Sequence, residues 1–124
     1  MTSLLIPLCL CNLNSDPLRT WKAVTWVESR GDPRAINRAE NAVGIAQIRP
    51  IMVEECNRIA GYPRWTCNDR LDPAKSLEMF QTYCLHYWPR GTPEQWARGW
   101  NGGPRGPQKK ATLPYWAKVR AALP

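Results

Sequence analysis

Histidine and phenylalanine each occur once in the 124 residues, as His86 and Phe80. With a single imidazole and no Cys-x-x-Cys pair, the chain lacks the donors of an ordinary zinc site. A Ser-His-Asp triad would have to rest on His86, which lies in a stretch crowded with aromatics. No segment alternates apolar and polar residues for long, and no Asn-Gly turn joins β-branched runs, so a sheet architecture finds no support. Repeats and linkers are missing as well, which leaves one domain, 1–124, large enough for its own core. The most apolar stretch, MTSLLIPLCLCNL at 1–13, is far too short to span a bilayer as a helix. It also lacks a basic n-region and a clear cleavage site, so it reads as a first packed segment, with a degenerate export signal as the alternative.

Acidic residues are scarce too. Ten Asp and Glu stand against 17 Lys and Arg, for a net charge of +7. Such a balance favours acidic partners, among which nucleic acid, anionic membrane and bacterial cell wall all qualify. The only dense basic cluster is RGPQKK at 105–110, less than a nucleic-acid-binding arm would need, and a solvated basic surface is the plain alternative. Five cysteines leave at least one unpaired in a monomer; Cys56 and Cys67 could bridge across a helix end and a loop. What is abundant is tryptophan, seven residues beside four tyrosines. Their flat faces and polar edges suit sugar rings as well as protein interiors, and most are expected in the core.

Helix punctuation is dense. Asp16-Pro17 forms a capping start, after which Leu18, Trp21, Val24 and Glu28 fall on one face until Gly31 and Asp32-Pro33 end the helix. A loop runs to Pro50, where a second helix begins that stops at Gly61. Asp72-Pro73 opens a third, with Leu77, Phe80, Cys84 and Trp88 on its buried side, ended by Pro89. Thr92-Pro93-Glu94-Gln95 is a capping box for a short fourth helix reaching Trp100. The segment NGGPRGPQKK reads as loop, and a last helix covers roughly 112–122. The architecture expected is a compact all-α domain.

Glu28 is out of place on its stripe. A carboxyl at the edge of an apolar face is partly desolvated, which raises its pKa and makes it a candidate general acid; the acid of lysozyme works from such an environment. A plainer reading has Glu28 turn outward or pair with Arg30 or Arg34. The residues that follow favour the first reading. The stretches ESRGDPRAIN, AVGIAQIRP, WNGG and YWAKV, taken in order across about residues 17–122, resemble the lytic transglycosylases, lysozyme-like domains that cut peptidoglycan. The resemblance implies an all-α lysozyme-like fold with a substrate groove. It makes Glu28 the catalytic acid and assigns Ser29, which follows it, to substrate binding. It aligns Gly44, Gln47 and Ile48, completed by Pro50, with the motif lining the sugar groove, and Trp100, Asn101 and Gly103 with the family's aromatic-Asn-x-Gly. Tyr115 matches a late tyrosine close to the acid. Asn37 stands where a serine is common and is assigned to substrate binding. Trp100 replaces the usual tyrosine and cannot supply a phenol.

Ordinary glycoside hydrolysis uses two carboxylates. Of the nine besides Glu28, Asp16 and Asp72 read as helix caps, Glu94 as first-turn, Asp69 as loop, and Glu54, Glu55 and Glu78 as helix-surface residues. Only Asp32 and Glu40 are loop carboxylates near the acid in sequence. A single committed carboxylate fits the reaction that the resemblance implies. Glu28 protonates the oxygen between N-acetylmuramic acid and N-acetylglucosamine, then deprotonates the muramyl 6-hydroxyl, which closes a 1,6-anhydro ring. No metal or cofactor enters this scheme. The expected partner is the glycan strand of the cell wall, met outside the cytoplasm by a monomer with no membrane span and no nucleic-acid role. The alternatives are a muramidase of the same fold with Asp32 or Glu40 as base, and a non-catalytic wall-binding module.

Overall fold

The computed structural model describes residues 16–124. The segment at 1–15, with Cys9 and Cys11, lies outside the described residues. In chain order the elements are α1 (Asp16–Ser29), β1 (Ile36–Asn37), β2 (Ala42–Val43), α2 (Pro50–Ala60), α3 (Pro73–Tyr87), α4 (Pro93–Gly102) and α5 (Leu113–Ala122). Short 3-10 turns occupy Cys67–Leu71, Gly106–Gln108 and Lys110–Thr112. The all-α class expected from the punctuation holds.

The helix starts are local chemistry. Asp72 accepts from the amides of Ala74 and Lys75 at 2.9 and 3.2 Å, and Pro73 follows in the first turn of α3. Thr92 and Gln95 satisfy each other's backbone amides at the start of α4. Each such cap stabilises its helix by about 1 kcal/mol. The helix α1 ends where Arg30 and Gly31 both turn left-handed, with φ of 57° and 77°.

The core is built around the one phenylalanine. Phe80 on α3 is fully buried, with the rings of Trp21, Trp96 and Trp100 at 5.2, 5.7 and 5.1 Å from its own. Aromatic pairs of this geometry add about 0.5–1.5 kcal/mol each beyond the area they bury. They fasten α1 and α4 to α3. Of the four residues expected on the buried side of α3, Phe80 and Cys84 are buried and Leu77 and Trp88 half-buried; Met79 and Tyr83 join them. Trp88 packs so closely over α4 that a Cβ on Gly99 would sit 1.8 Å from its ring. Four tryptophans, Trp21, Trp65, Trp96 and Trp100, are core residues, and Trp26 is exposed.

Three local expectations are corrected. The loop before Pro50 contains a small antiparallel hairpin, Ile36 opposite Val43 and Asn37 opposite Ala42, extended by a bridge from Val43 to Ile48. Strands of two residues are too short to show an alternating pattern. Cys56 and Cys67 are both free: Cys56 is buried with its thiol against the Met79 carbonyl, and Cys67 is exposed at the start of a 3-10 turn. The glycine-rich segment after α4 is ordered into two 3-10 turns. Arg98 braces it, donating to Glu94, Thr112 and the Lys109 carbonyl at 2.7, 2.8 and 2.9 Å.

Candidate active site

The helices α1 and α5 pack together, and their contact brings Tyr115 onto the last turn of α1. The Tyr115 hydroxyl donates to Glu28 Oε2 at 2.8 Å. Neither Arg30 nor Arg34 pairs with Glu28. Burial raises the Glu28 carboxyl from 4.5 to about 7, against the opposing pull of the Tyr115 hydrogen bond and the Arg49 charge. A carboxyl so placed carries its proton to neutral pH while remaining open to the adjoining groove.

That groove encloses about 510 Å³. One wall comes from the hairpin and the start of α2, the other from the end of α4 and the start of α5. Seven of the sequence-predicted residues line it together: Glu28, Asn37, Gln47, Ile48, Trp100, Asn101 and Tyr115. Gly103 lines it too. These positions span 88 residues of chain, from 28 to 115, so the fold has gathered them.

Gln47 is held rigidly. Its backbone is left-handed, φ 52°, and its amide nitrogen donates to the carbonyls of Ala35 and Gly44, both at 3.0 Å. With both N–H groups engaged, its oxygen is left as an acceptor. Asn37 spends its side-chain oxygen on the Glu40 amide at 3.3 Å, which leaves its amino group as a donor. Asn101 is exposed at the end of α4. The groove thus presents an acid, an acceptor and amide donors, the vocabulary for N-acetyl and hydroxyl groups. Trp100 contributes differently from the flat platform its indole suggested. It is 8% exposed and packs edge-on against Phe80 and Tyr83, so it forms wall more than stacking surface.

Two expected groove residues lie outside it. The Ser29 hydroxyl donates to the carbonyls of Ile45 and Thr25 at 2.7 and 3.2 Å and accepts from the Asp32 amide at 3.1 Å. It ties the end of α1 to the turn that carries Gln47. Gly44 is buried with φ 89°, its Cα so close to the chain at Arg70 that a Cβ would meet the carbonyl oxygen at 1.8 Å. Both residues position the groove from behind.

Other lining residues had no signal in the motifs: Arg49, Ile51, Met52 and Lys118. Glu40, considered only as a possible base, is also in the groove wall, ion-paired with Arg49. Asp32 is not; its side chain closes a turn by accepting from the Arg34 amide at 2.9 Å. Arg70 was missed altogether. It is 8% exposed, and its Nη1 donates to the carbonyls of Asn41 and Ile48 at 2.9 and 3.0 Å while Nε reaches Cys67 at 2.8 Å. This buried guanidinium locks the hairpin to the 3-10 turn across 29 residues.

The chain matches no curated protein and no solved structure. It matches the transglycosylase SLT domain over residues 12–119. The groove lies within those residues, and the chain belongs to that family of lysozyme-like, mostly helical domains with a transglycosylase-type function toward peptidoglycan.

Proposed function

We propose that the protein is a lytic transglycosylase that cuts the MurNAc-β-1,4-GlcNAc bond of peptidoglycan and leaves 1,6-anhydromuramic acid ends, with Glu28 as the one acid and base. The observation that carries this reading is the half-buried Glu28 carboxyl, raised to about 7 and held by Tyr115 in a groove of amide donors and acceptors. Protonated at neutral pH, Glu28 gives its proton to the glycosidic oxygen as the bond to C1 breaks, and the departing sugar leaves with a free hydroxyl. The muramyl N-acetyl group stabilises the cationic C1. Glu28, now a carboxylate, takes the proton of the 6-hydroxyl as that oxygen bonds to C1, and is ready to act again. Gln47, Asn37 and Asn101 hold the sugars, and Tyr115 orients the acid.

Action on the wall places the domain's work outside the cytoplasm. The hydrolytic reading needs a base for water. Among the described residues Glu40 is the one groove carboxylate besides Glu28, and Arg49 already balances its charge. Asp32, absorbed in its turn, serves no better. Glu28→Gln keeps the shape and the acceptor for Tyr115 but removes the titrating proton. Release of soluble muropeptides from purified peptidoglycan is expected to fall at least about 100-fold, the lower end of a general acid's contribution. Glu40→Gln should cost far less. A folded Glu28→Gln protein retaining most of its activity would refute the assignment.

A further inference from the structure

The groove has an annex. The end of α1 and the second half of α5 enclose a depression of about 440 Å³ that shares Val27 and Lys118 with the groove and is completed by Trp26, Arg30, Ala121 and Ala122. Val27 adjoins Glu28 in the chain, and Lys118 stands three residues beyond Tyr115 on α5, so the annex begins about one helical turn from the acid.

Its chemistry differs from that of the groove. Two cations line it and no carboxylate does. Neither Arg30 nor Lys118 forms an ion pair among the described residues, and residues 1–15 contain no Asp or Glu. Arg30 is fixed in a left-handed backbone conformation that non-glycine residues rarely adopt. Its guanidinium lies over the half-exposed ring of Trp26, 5.0 Å from the centroid. A guanidinium over an indole ring keeps its N–H donors, and that of Arg30 has no carboxylate partner among the described residues, so it can serve a carboxylate as a bidentate donor.

We propose that this annex binds the acidic peptide stem of the muramyl residue whose glycosidic bond lies in the groove; the proposal rests on the peptidoglycan reading above. The stem branches from the muramyl ring through its lactyl group, so a site for it must adjoin the groove. The sugars of the strand are uncharged once the lactyl carboxyl is amide-linked, whereas the stem carries free carboxylates. A further sugar subsite would call for an open aromatic face and amide or hydroxyl partners. Here one face of Trp26 is covered by Arg30, and the polar groups are two cations. Charge complementarity therefore selects the stem over the glycan.

The test compares the unchanged protein with Arg30→Glu on two substrates, intact glycan strands and strands stripped of their stems by an amidase. The readout is the ratio of kcat/KM on stem-bearing over stem-free strands. Reversal of one exposed charge is expected to lower that ratio roughly fivefold to tenfold, and Arg30→Lys should keep most of it. In parallel, the Glu28→Gln protein should bind a free tetrapeptide stem more tightly than the same peptide with its carboxylates amidated. Arg30 is exposed, so an unchanged melting curve is expected; Arg30→Gln replaces the reversal if the curve moves. A ratio equal to that of the unchanged protein would overturn the proposal, as would a loss of the same size on both substrates, which would mean that the annex takes sugar. Equal binding of the free and amidated stems would overturn it too. Failure of the unchanged protein to cut either substrate would overturn the peptidoglycan reading and this proposal with it.

Discussion

Glu28 carries a conflict between folding and function that can be measured. Its folded carboxyl keeps the proton to about pH 7, whereas the ordinary value is 4.5. Folding therefore takes up a proton between those values, and stability falls as pH rises from 4.5 to 7, then levels off. The whole shift corresponds to about 3 kcal/mol. Glu28→Gln carries no charge to bury and can still accept from Tyr115. It should therefore be more stable than the unchanged protein at pH 8, by up to about 3 kcal/mol, and about equal to it at pH 4. Thermal melts at the two pH values check this. An equal difference at both would mean that the carboxyl is not desolvated as described. The residue was legible as an oddity because a charged side chain on an apolar stripe breaks the 3.6-residue pattern. Its partner was legible only through the resemblance, since nothing local links positions 28 and 115.

At the scale of elements, the boundaries that depend on proline, glycine and capping residues could be read directly. Pro50 and Ala60 bound α2, and α3 begins after Asp72, because those signals act within a few residues of themselves. The hairpin could not be read, because its two-residue strands owe their pairing to tertiary support. Arg70 supplies that support from 29 positions away, through carbonyls that carry no sequence signature. Gly44 supplies the rest by yielding space. Gly44→Ala places a methyl group against the Arg70 carbonyl oxygen in a backbone conformation that L-residues avoid. It should destabilise by more than about 2 kcal/mol and reduce activity through misplacement of Gln47. Chemical denaturation together with a turnover assay would show it. Loss of activity with full stability would instead give Gly44 a direct part in substrate contact. Ser29 illustrates the complementary lesson: the resemblance assigns it to substrate binding, and its hydroxyl ties α1 to the turn that carries Gln47 instead of lining the groove.

For the whole molecule, the net charge of +7 was visible from composition, but not where the unpaired cations lie. Attraction to an acidic wall is a long-range effect screened over about 8–10 Å at physiological salt. Raising the salt concentration should weaken association with intact wall, while turnover of a short uncharged chitooligosaccharide should change much less. Equal sensitivity of the two would show that surface charge does not recruit the polymer. The tryptophan excess, open in the sequence to either a sugar-binding or a core role, is resolved mainly toward the core: Trp21, Trp96 and Trp100 surround Phe80 and hold together the helices that carry Glu28 and Asn101. In the proposed mechanism Glu28 closes a ring on the substrate without admitting water to the bond. Digestion of purified peptidoglycan in water enriched in heavy oxygen, followed by mass spectrometry of the muropeptides, tests it most directly. Anhydromuramyl ends are expected, one water lighter than reducing ends and with no heavy oxygen at C1; reducing muramic acid ends carrying the heavy isotope would rule out ring closure and make the protein a hydrolase.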